Sequence, residues 1–433
     1  MLLRAVKEAP AQAVSKSHAL LTRAGYVQQS SAGMFRMLPF AERVLAKLEA
    51  IVDEELRRAP LRAEKLRLPL VTRSELWEKS GRLGSYGEEL LRFKDRRGTE
   101  FCLGPTFEEE ITDLVASYGV QSSRDLPIKV YQTTMKFRDE LRPRFGLLRG
   151  REFLMMDMYS FHETEACALE TYADVCDAYA RIFRRLGVAY DRVNADGGAI
   201  GGSITHEFQV PAEMGEDEVV YCTSGDFVAN VEVAASSEGP CTEPSCSCGG
   251  NGELARRPGI EIGHTFLLGT KYAEAFAAES VDSKQRKSPL VMGCYGIGIS
   301  RLMAVLIEAE GGSDEDGIIW PRAVAPFDCV VLTAPGNAKA REAYAQEARG
   351  LCDQLPESLE VVLDDRWKDS LGHKLAEAKL VGYPDIIIVG KRALDESTPQ
   401  VELIDRATGE VRLLSVSEVA AHLAASRRTS SPL

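Results

Sequence analysis

The chain contains 433 residues, of which 45% are hydrophobic, and its formal net charge is −13 at pH 7. This length accommodates two or three domains with apolar cores, whereas the negative charge argues against a surface that coats nucleic acid non-specifically. No run of about 18 apolar residues and no secretory apolar segment occurs, so we expect an intracellular protein without a membrane span.

The first elements in chain order are helices followed by short strands. Apolar spacing predicts helices over 15–25 and 41–59, and Gly25 and Pro60 end them. Strands follow at LRLPL (66–70), FCL (101–103), PIKVYQTTMKF (127–137) and EFLMMDMYSF (152–161). Because hairpin loops separate these strands, we expect an antiparallel sheet with flanking helices rather than a doubly wound parallel sheet.

The stretch GPTFEEEI, residues 104–111, joins a strand to a helix that Gly119 ends. Thr106 and Glu109 have the spacing of a capping box, and acidic side chains suit the first turn of a helix. Capping does not require Glu108. Since a helix start beside a strand end is a common ligand position, Glu108 is a candidate binding residue.

The next strand pair presents one chemically distinctive face. Five arginines lie within RDELRPRFGLLRGR, residues 138–151, which favours polyphosphate binding over a solvated hairpin. Strand alternation places Arg138 and Glu140 on one face. The same alternation puts a cationic, aromatic and acidic set on one face of the return strand: Arg149, Arg151, Phe153, Met155 and Asp157. This face suits a nucleotide, with the base against Phe153.

The chain contains ten cysteines. Six lie in apolar or helical surroundings that are typical of small buried side chains: Cys102, Cys167, Cys176, Cys294, Cys329 and Cys352. The other four lie in or beside a glycine- and serine-rich loop: Cys222, Cys241, Cys246 and Cys248. Their spacing does not form two CxxC pairs, so it favours a plain surface loop over a zinc site, and we expect no structural zinc.

A helix is predicted over 164–187, and glycine-rich and cysteine-bearing loops follow it. In GCYGIGISRLMAVLIEAE (293–310), apolar residues have helical spacing, yet Arg301 opens the helix where the dipole disfavours a cation, which suggests a bound polyanion. A dinucleotide fingerprint is excluded, because the βαβ context is missing. Residues 309–326 read as a linker, and alternating strands and helices beyond it predict a small α/β domain.

The motifs together carry a family resemblance. LRLPL, FRDE with RGREF, and GCYGIGISR resemble motifs 1, 2 and 3 of class II aminoacyl-tRNA synthetases. GPTFEEE, LLRGREFLMMDMYSF, GGSITHEF, IEIGHTFLLGTKY and MGCYGIGISR resemble, in order, the prolyl-tRNA synthetase family of bacterial and mitochondrial type. The resemblance implies a class II catalytic domain over 1–323 and an anticodon-binding domain over 324–433. It also implies ATP-dependent ligation of L-proline to tRNA(Pro) through prolyl-adenylate.

The resemblance assigns roles to eleven residues. Arg138 would hold the α-phosphate and the proline carboxylate, Glu140 the adenine amino group, and Phe153 the adenine ring. Arg149 and Arg301 would bind the outer phosphates, which Mg²⁺ bridges; Arg138 and Arg301 are the implied catalytic residues, and no resident metal is implied. The implied proline pocket consists of Thr106, Glu108, Arg138, Met155, Asp157, Thr205 and His206. Catalysis would rest on positioning and charge, without a nucleophile or an obligatory general base.

The resemblance also implies partners and a location. We expect a homodimer with 41–59 and LRLPL at its two-fold axis. A cysteine-bearing segment at about 215–260 replaces the long editing insertion of many bacterial relatives, which favours the mitochondrial matrix over a bacterial cytoplasm. Two alternatives stay open: a synthetase for another small amino acid such as threonine, and a synthetase-like binding protein that has lost catalysis.

Overall fold

The computed structural model describes residues 5, 8–10, 13–120, 123–244, 246–281 and 286–429. Its helices are α1 Lys16–Arg23, α2 Pro39–Arg57, α3 Ser74–Lys79, α4 Arg82–Ser85, α5 Glu108–Tyr118, α6 Glu165–Arg185, α7 Lys271–Phe276, α8 Ile299–Glu308, α9 Ala338–Gln354, α10 Leu371–Val381 and α11 Val416–Thr429. Short 3₁₀ helices cover Gly87–Glu89, Ser123–Asp125 and Lys391–Leu394. Within the described ranges, no helix has the length and apolar character to cross a membrane.

Within the described part of the chain, the strands form five sheets. In chain order they are β1 Val27–Ser31, β2 Met34–Met37, β3 Glu64–Lys65, β4 Val71–Arg73, β5 Arg92–Lys94, β6 Glu100–Leu103, β7 Ile128–Phe137, β8 Glu152–His162, β9 Asp191–Asn194, β10 Ile204–Pro211, β11 Asp217–Cys222, β12 Val228–Asn230, β13 Gly239–Pro240, β14 Glu253–Gly269, β15 Glu279–Val281, β16 Lys287–Pro289, β17 Val291–Gly298, β18 Cys329–Thr333, β19 Val361–Leu363, β20 Asp385–Val389, β21 Val401–Asp405 and β22 Val411–Leu414.

The largest sheet has ten strands in the order β10-β9-β12-β11-β14-β17-β8-β7-β3, with β13 beside β14. Its centre is antiparallel from β14 through β17 and β8 to β7. Two short pairings are parallel, between β3 and β7 and between β12 and β9. The expectation of an antiparallel sheet with flanking helices is therefore confirmed for the part of the sheet that positions the site.

Helices α2, α6 and α8 cover one face of this sheet. Strand alternation divides the side chains of β17 between two environments. Tyr295 and Ile297 are fully buried in the core beneath the helices, whereas Cys294, Gly296 and Gly298 line a cavity on the opposite face. The helical face thus supplies the main core, and the other face carries a smaller core packed against α5 and α7, with the cavity beside it.

The LRLPL prediction is wrong in detail. Only Glu64–Lys65 forms a strand beside β7, and residues 66–70 leave the sheet. Leu66 still donates its amide to Tyr131, but Leu68 donates to the side chain of Gln132 instead. Pro69 has no amide hydrogen, so it cannot continue a sheet ladder.

The C-terminal sheet has the order β19-β18-β20-β21-β22. β18, β19 and β20 run parallel, and the last two strands are antiparallel. This arrangement confirms the alternating strands and helices predicted beyond residue 326.

The composition of the segment 309–326 indicates a linker. The segment packs instead between the part of the chain that contains the ten-stranded sheet and the part that contains the C-terminal sheet. Trp320 is buried and donates its indole N–H to the Tyr26 hydroxyl at 2.7 Å; that hydroxyl in turn donates to the carbonyl of Val381 at 2.7 Å. Arg322 binds Asp405 at 2.8 Å. The glycine and acidic residues of the segment suggest a linker without packing contacts. Its apolar residues instead belong to one core that includes residues of the ten-stranded sheet and of the C-terminal sheet.

Candidate active site

A cavity of about 350 Å³ opens on the face of β8, β14 and β17 opposite α6 and α8, beside the small core that α5 and α7 form there. The structure brings together eight of the predicted site residues around it: Thr106, Arg138, Glu140, Arg149, Phe153, Met155, Asp157 and Arg301. They come from the start of α5, the β7–β8 hairpin and the start of α8. Strand alternation predicted this convergence for Phe153, Met155 and Asp157 of β8, whereas Arg138, Glu140 and Arg149 lie in the loop of the hairpin. Arg151, expected on the same face, pairs with Asp139 outside the cavity wall.

Three guanidinium groups form the cationic wall of the cavity. Arg301 donates from Nε to the carbonyl of Leu148 and from Nη1 to that of Glu261, both at 2.9 Å. Arg138 lies with its Cζ 5.3 Å from the centre of the Phe153 ring, and its Nε has no hydrogen-bond partner among the described residues. Arginines held beside an aromatic plate in a partly enclosed cavity suit a nucleotide polyphosphate.

The third guanidinium, that of Arg149, is anchored by two acids. It donates from Nε to Glu140 at 3.1 Å and from Nη1 to Glu216 at 3.0 Å. Glu216 also accepts from Arg144 at 2.6 Å. Sequence reasoning missed Glu216, because it precedes β11, far from the arginines in sequence.

An acidic group faces these cations. Glu207, Glu261 and His264 place ligand atoms within 4.8 Å of one another, since Glu207 pairs with His264 in the ladder between β10 and β14. Burial disfavours the ionised form of Glu261, but His264 and Arg301 outweigh it and lower its pKa to about 2. Glu261 therefore carries a full negative charge at neutral pH. Glu261 and His264 are neighbours on β14, but only strand pairing brings Glu207 to them, since it is distant in sequence.

The start of α5 is organised by a buried ion pair. Arg82 lies with its Nη1 3.0 Å from Glu108 and 3.0 Å from Glu109. The Thr106 hydroxyl donates to the Glu108 carboxylate at 2.8 Å, and Cys294 donates its thiol to it at 3.1 Å. Burial opposes ionisation of Glu108, but the Arg82 charge and these hydrogen bonds lower its pKa. The negatively charged Glu108 carboxylate thus lies behind the cavity residue Thr106 and is joined to it by a hydrogen bond.

The predicted capping box is wrong. Phe107 precedes α5 and makes no side-chain capping bond. The Glu109 carboxylate instead accepts from Ser80 at 2.7 Å and from Arg82. A buried guanidinium is a stronger partner for a carboxylate than a backbone amide, so the tertiary contact displaces the local one.

Asp157 lines the floor of the cavity and is already bound by protein groups. Lys136 lies 2.6 Å from it, Gln132 donates at 2.9 Å, and the Tyr159 hydroxyl donates at 2.9 Å. Lys136 and Asp157 are both almost fully buried. Sequence reasoning missed Lys136, because the strand pattern alone does not show that a cation crosses to the neighbouring strand.

The structure does not place Thr205 and His206 in the cavity wall. The Thr205 hydroxyl donates to the carbonyl of Ala195 at 2.8 Å and lies 3.5 Å from His264, so it stands behind a lining residue. His206 lies outside the cavity wall, with its Nδ1 2.7 Å from the hydroxyl of Tyr172 on α6. Adjacent strand residues point to opposite faces, so the two side chains could not share one pocket.

The cysteine segment is not the plain surface loop that its spacing favoured. Cys222, Cys241 and Cys246 are buried, and Cys248 is half-buried. Their four sulfur atoms lie within 4.8 Å of one another. Pairing of β11 and β13 with β14 brings Cys222 and Cys241 together, which sequence spacing could not show.

The C-terminal sheet presents a second polar surface at the carboxyl edge of its parallel strands. Of the cations noted in the sequence, Lys374 is buried against Thr333, and Arg366 binds Asp364 at 2.7 Å. Lys368, Lys391 and Arg392 are exposed. Trp367 lies at the same edge, with Arg349 and Lys374 each 5.6 Å from its ring centre.

Comparison with known families and proteins agrees with this architecture. The tRNA synthetase class II core domain (G, H, P, S and T) matches residues 91–310, and the anticodon-binding domain matches 328–426. A probable mitochondrial proline–tRNA ligase from Rattus norvegicus is 43% identical over 92% of this chain and 83% of its own length. A proline–tRNA ligase from Bacillus mycoides is 36% identical over 97% of this chain and 98% of its own.

Solved structures share the fold. Prolyl-tRNA synthetase from Cryptosporidium parvum, solved with halofuginone and AMPPNP, superposes with a TM-score of 0.76 at 17% identity, over 98% of this chain and 80% of its own. The Giardia lamblia enzyme with prolyl-adenylate gives 0.76 at 19% identity, over 95% and 79%. With the sequence matches above, these findings show that the chain belongs to the prolyl-tRNA synthetases, a family of class II aminoacyl-tRNA synthetases.

Proposed function

We propose that the 350 Å³ cavity is where this prolyl-tRNA synthetase forms prolyl-adenylate. The overall reaction is the ATP-dependent ligation of L-proline to tRNA(Pro). The observation that carries the assignment is the arrangement of the cavity wall: Arg138, Arg149 and Arg301 lie beside Phe153, while Thr106, with the buried Glu108 beneath it, lies toward α5. One cavity therefore has arginines that can bind the phosphates of ATP and, behind Thr106, a carboxylate that can compensate the ammonium of proline.

ATP occupies the end of the cavity that carries the arginines. Phe153 stacks on the adenine ring and Glu140 accepts from the adenine amino group, while Arg149 and Arg301 bind the outer phosphates. ATP enters as its Mg²⁺ complex, and the carboxylates of Glu207 and Glu261 offer the hard oxygen ligands that this ion prefers. The ion neutralises phosphate charge when bound.

Proline occupies the end toward α5. The Thr106 hydroxyl commits its hydrogen to Glu108, so the lone pairs of its oxygen are left to accept from the proline ammonium. Glu108 supplies the compensating charge from beneath. Met155 and Asp157 border the same space, and Arg138 holds the carboxylate against the α-phosphate of ATP.

The chemistry then requires positioning rather than a protein nucleophile. The proline carboxylate attacks the α-phosphorus, and pyrophosphate leaves; Arg138 and Arg301 stabilise the negative charge that builds up on the transferring group. In the second step the terminal ribose hydroxyl of tRNA attacks the carbonyl carbon of prolyl-adenylate, and AMP leaves.

The exposed cations of the C-terminal sheet bind the anticodon of tRNA(Pro). Ligands of parallel α/β sheets bind at the carboxyl ends of the strands. Here that edge carries Lys368, Lys391 and Arg392 together with the Trp367 ring. Proteins recognise single-stranded RNA with basic groups that bind phosphates and with aromatic rings that stack on unpaired bases.

The enzyme acts as a homodimer in the mitochondrial matrix, with α2 and residues 66–70 at the two-fold axis. The identity to the rat mitochondrial protein, at 43%, exceeds the 36% to the Bacillus protein. The Bacillus alignment extends over 564 positions, longer than this chain, so that protein has an internal segment this chain lacks. A bacterial cytoplasm is the alternative location. Light scattering and fluorescence imaging of the tagged full chain test these assignments.

Proline-dependent exchange of pyrophosphate into ATP tests the central proposal. The assay is run with each amino acid in turn, and proline alone should support rapid exchange. Threonine-dependent exchange would identify a different synthetase. Absence of exchange with every amino acid, in a protein that still binds ATP, would indicate a binding protein that has lost catalysis.

A further inference from the structure

The four-cysteine segment lies outside the catalytic cavity, and no step of the proposed reaction uses it. Cys222 ends β11, Cys241 follows β13, and Cys246 and Cys248 lie in the turn that leads into β14. The four sulfur atoms lie within 4.8 Å of one another, and none forms a disulfide. A tetrahedral zinc ion with Zn–S bonds of 2.3 Å separates its sulfurs by about 3.8 Å, so small side-chain movements suffice to bind one ion.

The backbone around the sulfurs has the form of a metal-binding knuckle. The amide of Cys246 donates to the carbonyl of Glu243 at 3.1 Å, and the carbonyls of Cys246 and Cys248 accept from the amides of Gly249 and Asn251 at 3.2 and 3.1 Å. These successive backbone turns hold the cysteine side chains close together, as a ligand loop around a metal ion requires.

Two glycines allow the backbone to close around the cluster. A Cβ atom added to Gly252 would lie 2.3 Å from the Cys222 sulfur, and one added to Gly225 would lie 2.4 Å from the Cys246 sulfur. Both distances are far below any allowed contact, so these positions exclude larger residues. The backbone thus wraps a compact group of four sulfurs, with room for one ion at their centre.

We propose that Cys222, Cys241, Cys246 and Cys248 bind one structural Zn²⁺. Four thiolates in tetrahedral reach are the donor set that zinc prefers in closed structural sites. The ion cross-links the end of the β11–β14 pair at Cys222 and Leu254, where few apolar residues pack. Glu216, which binds Arg149 of the catalytic cavity, directly precedes the first residue of the same strand β11. The zinc knuckle therefore stabilises the strand that positions an ATP-site arginine.

Metal analysis of the full chain, purified without a histidine tag, tests the proposal. We expect about one zinc ion per chain in the wild type and in Cys352→Ser, which changes a control cysteine on helix α9. Cys222→Ser and Cys248→Ser should each retain below about 0.2 ion. Zinc content equal to that of the control in both variants would overturn the assignment.

A second measurement uses the unmutated protein. Removal of the metal by a chelator under reducing conditions should expose four additional thiols to a thiol reagent and lower the melting temperature, and added Zn²⁺ should reverse both changes. Co²⁺ in place of Zn²⁺ should give the strong visible and near-ultraviolet absorption of tetrahedral cobalt thiolate. Chelation that changes neither thiol count nor melting temperature, iron as the bound metal, or disulfides detected by mass in freshly purified protein would contradict the proposal.

Discussion

Arg82 and Glu108 form an almost completely buried ion pair, with Nη1 3.0 Å from Oε2, directly behind the cavity residue Thr106. Arg82 lies in α4, a separate segment from the strand and helix that carry the Thr106–Glu108 motif. The pair gives Glu108 two functions. In the proposed function its charge compensates the proline ammonium through Thr106, and in the structure it neutralises the buried guanidinium of Arg82.

Glu108→Gln should weaken proline binding by about 2–4 kcal/mol, because the variant keeps the shape of the side chain and removes the charge that compensates the ammonium. ATP affinity should not change. Glu110→Gln, on the half-buried side of the same helix, is the matched control. Titrations with proline and ATP measure both affinities; unaltered proline affinity would leave Glu108 with a structural role alone.

Arg82→Gln should lower the free energy of unfolding by on the order of 3–5 kcal/mol, because it leaves two buried carboxylates without their cation. Adding Glu109→Gln should restore part of this loss, since only Glu108 then lacks a partner. Chemical denaturation of the single and double variants provides the measurement. Purely additive losses in the Arg82→Gln, Glu109→Gln and double variants would show that Arg82 and Glu109 are not coupled.

Arg301→Ala should reduce the rate of proline-dependent pyrophosphate exchange at least ~10²-fold, because a cation that stabilises the transferring phosphoryl group is lost. Arg138→Ala should have a similar effect. Arg412→Ala, which removes an exposed arginine of β22, controls for general loss of charge. Melting temperatures establish that each variant is folded, and undiminished exchange in a folded Arg301→Ala protein would refute its catalytic role.

Stability should fall as the pH drops from 7.5 to 5, with a contribution from His162. Burial and the nearby Lys129 lower the pKa of this fully buried imidazole to about 4. The pKa of His162 in the folded state lies below its unfolded value of about 6.5, so the unfolded state binds the proton first as the pH falls. The stability contributed by the neutral imidazole is therefore complete above pH 6.5 and is lost progressively as the pH falls from there through about 4. The expected loss by pH 5 is about 1–2 kcal/mol.

His162→Gln removes this titration, so its unfolding free energy should depend less on pH over the same interval. The exposed His373→Gln variant is the control. Denaturation at pH 7.5 and 5 compares the three proteins. An identical pH dependence in wild type and His162→Gln would exclude His162 as the titrating group.

Charge reversal at Lys391 and Arg392 should separate activation from tRNA charging. The double variant Lys391→Glu/Arg392→Glu should keep full pyrophosphate exchange, while the efficiency of tRNA charging should fall at least about tenfold, since two phosphate contacts become repulsive. Parallel loss of both activities would instead indicate damage to the fold. Unchanged charging would place anticodon recognition elsewhere.

These point variants are preferable to removal of the C-terminal domain. A cut near Pro326 would remove Val381 and Tyr383 from the core that also contains Tyr26, Phe40 and Trp320. We therefore expect the fragment 1–326 to be less stable than the full chain, which a lower melting temperature would show. A fragment as stable as the full chain would indicate that the two parts pack only loosely.

The sequence by itself determined the elements and much of the catalytic face. Phe153, Met155 and Asp157 reach one cavity as the alternation of β8 predicts, because a strand sets its own period of two. Arg138 and Glu140 line the same cavity from the loop that follows β7. The order of the motifs likewise indicated the family. The same alternation should have separated Thr205 from His206, and the structure shows His206 beside α6.

Only the tertiary structure decided which distant groups meet. Arg82 reaches Glu108, Lys136 crosses to Asp157, and Glu207 pairs with His264 through contacts between separate elements. The sulfur cluster likewise depends on the register of β11 and β13 against β14. Local patterns determine which way a side chain points within its own strand or helix, whereas its partner depends on how the elements pack, and burial makes those partnerships strong enough to override local signals such as the capping box.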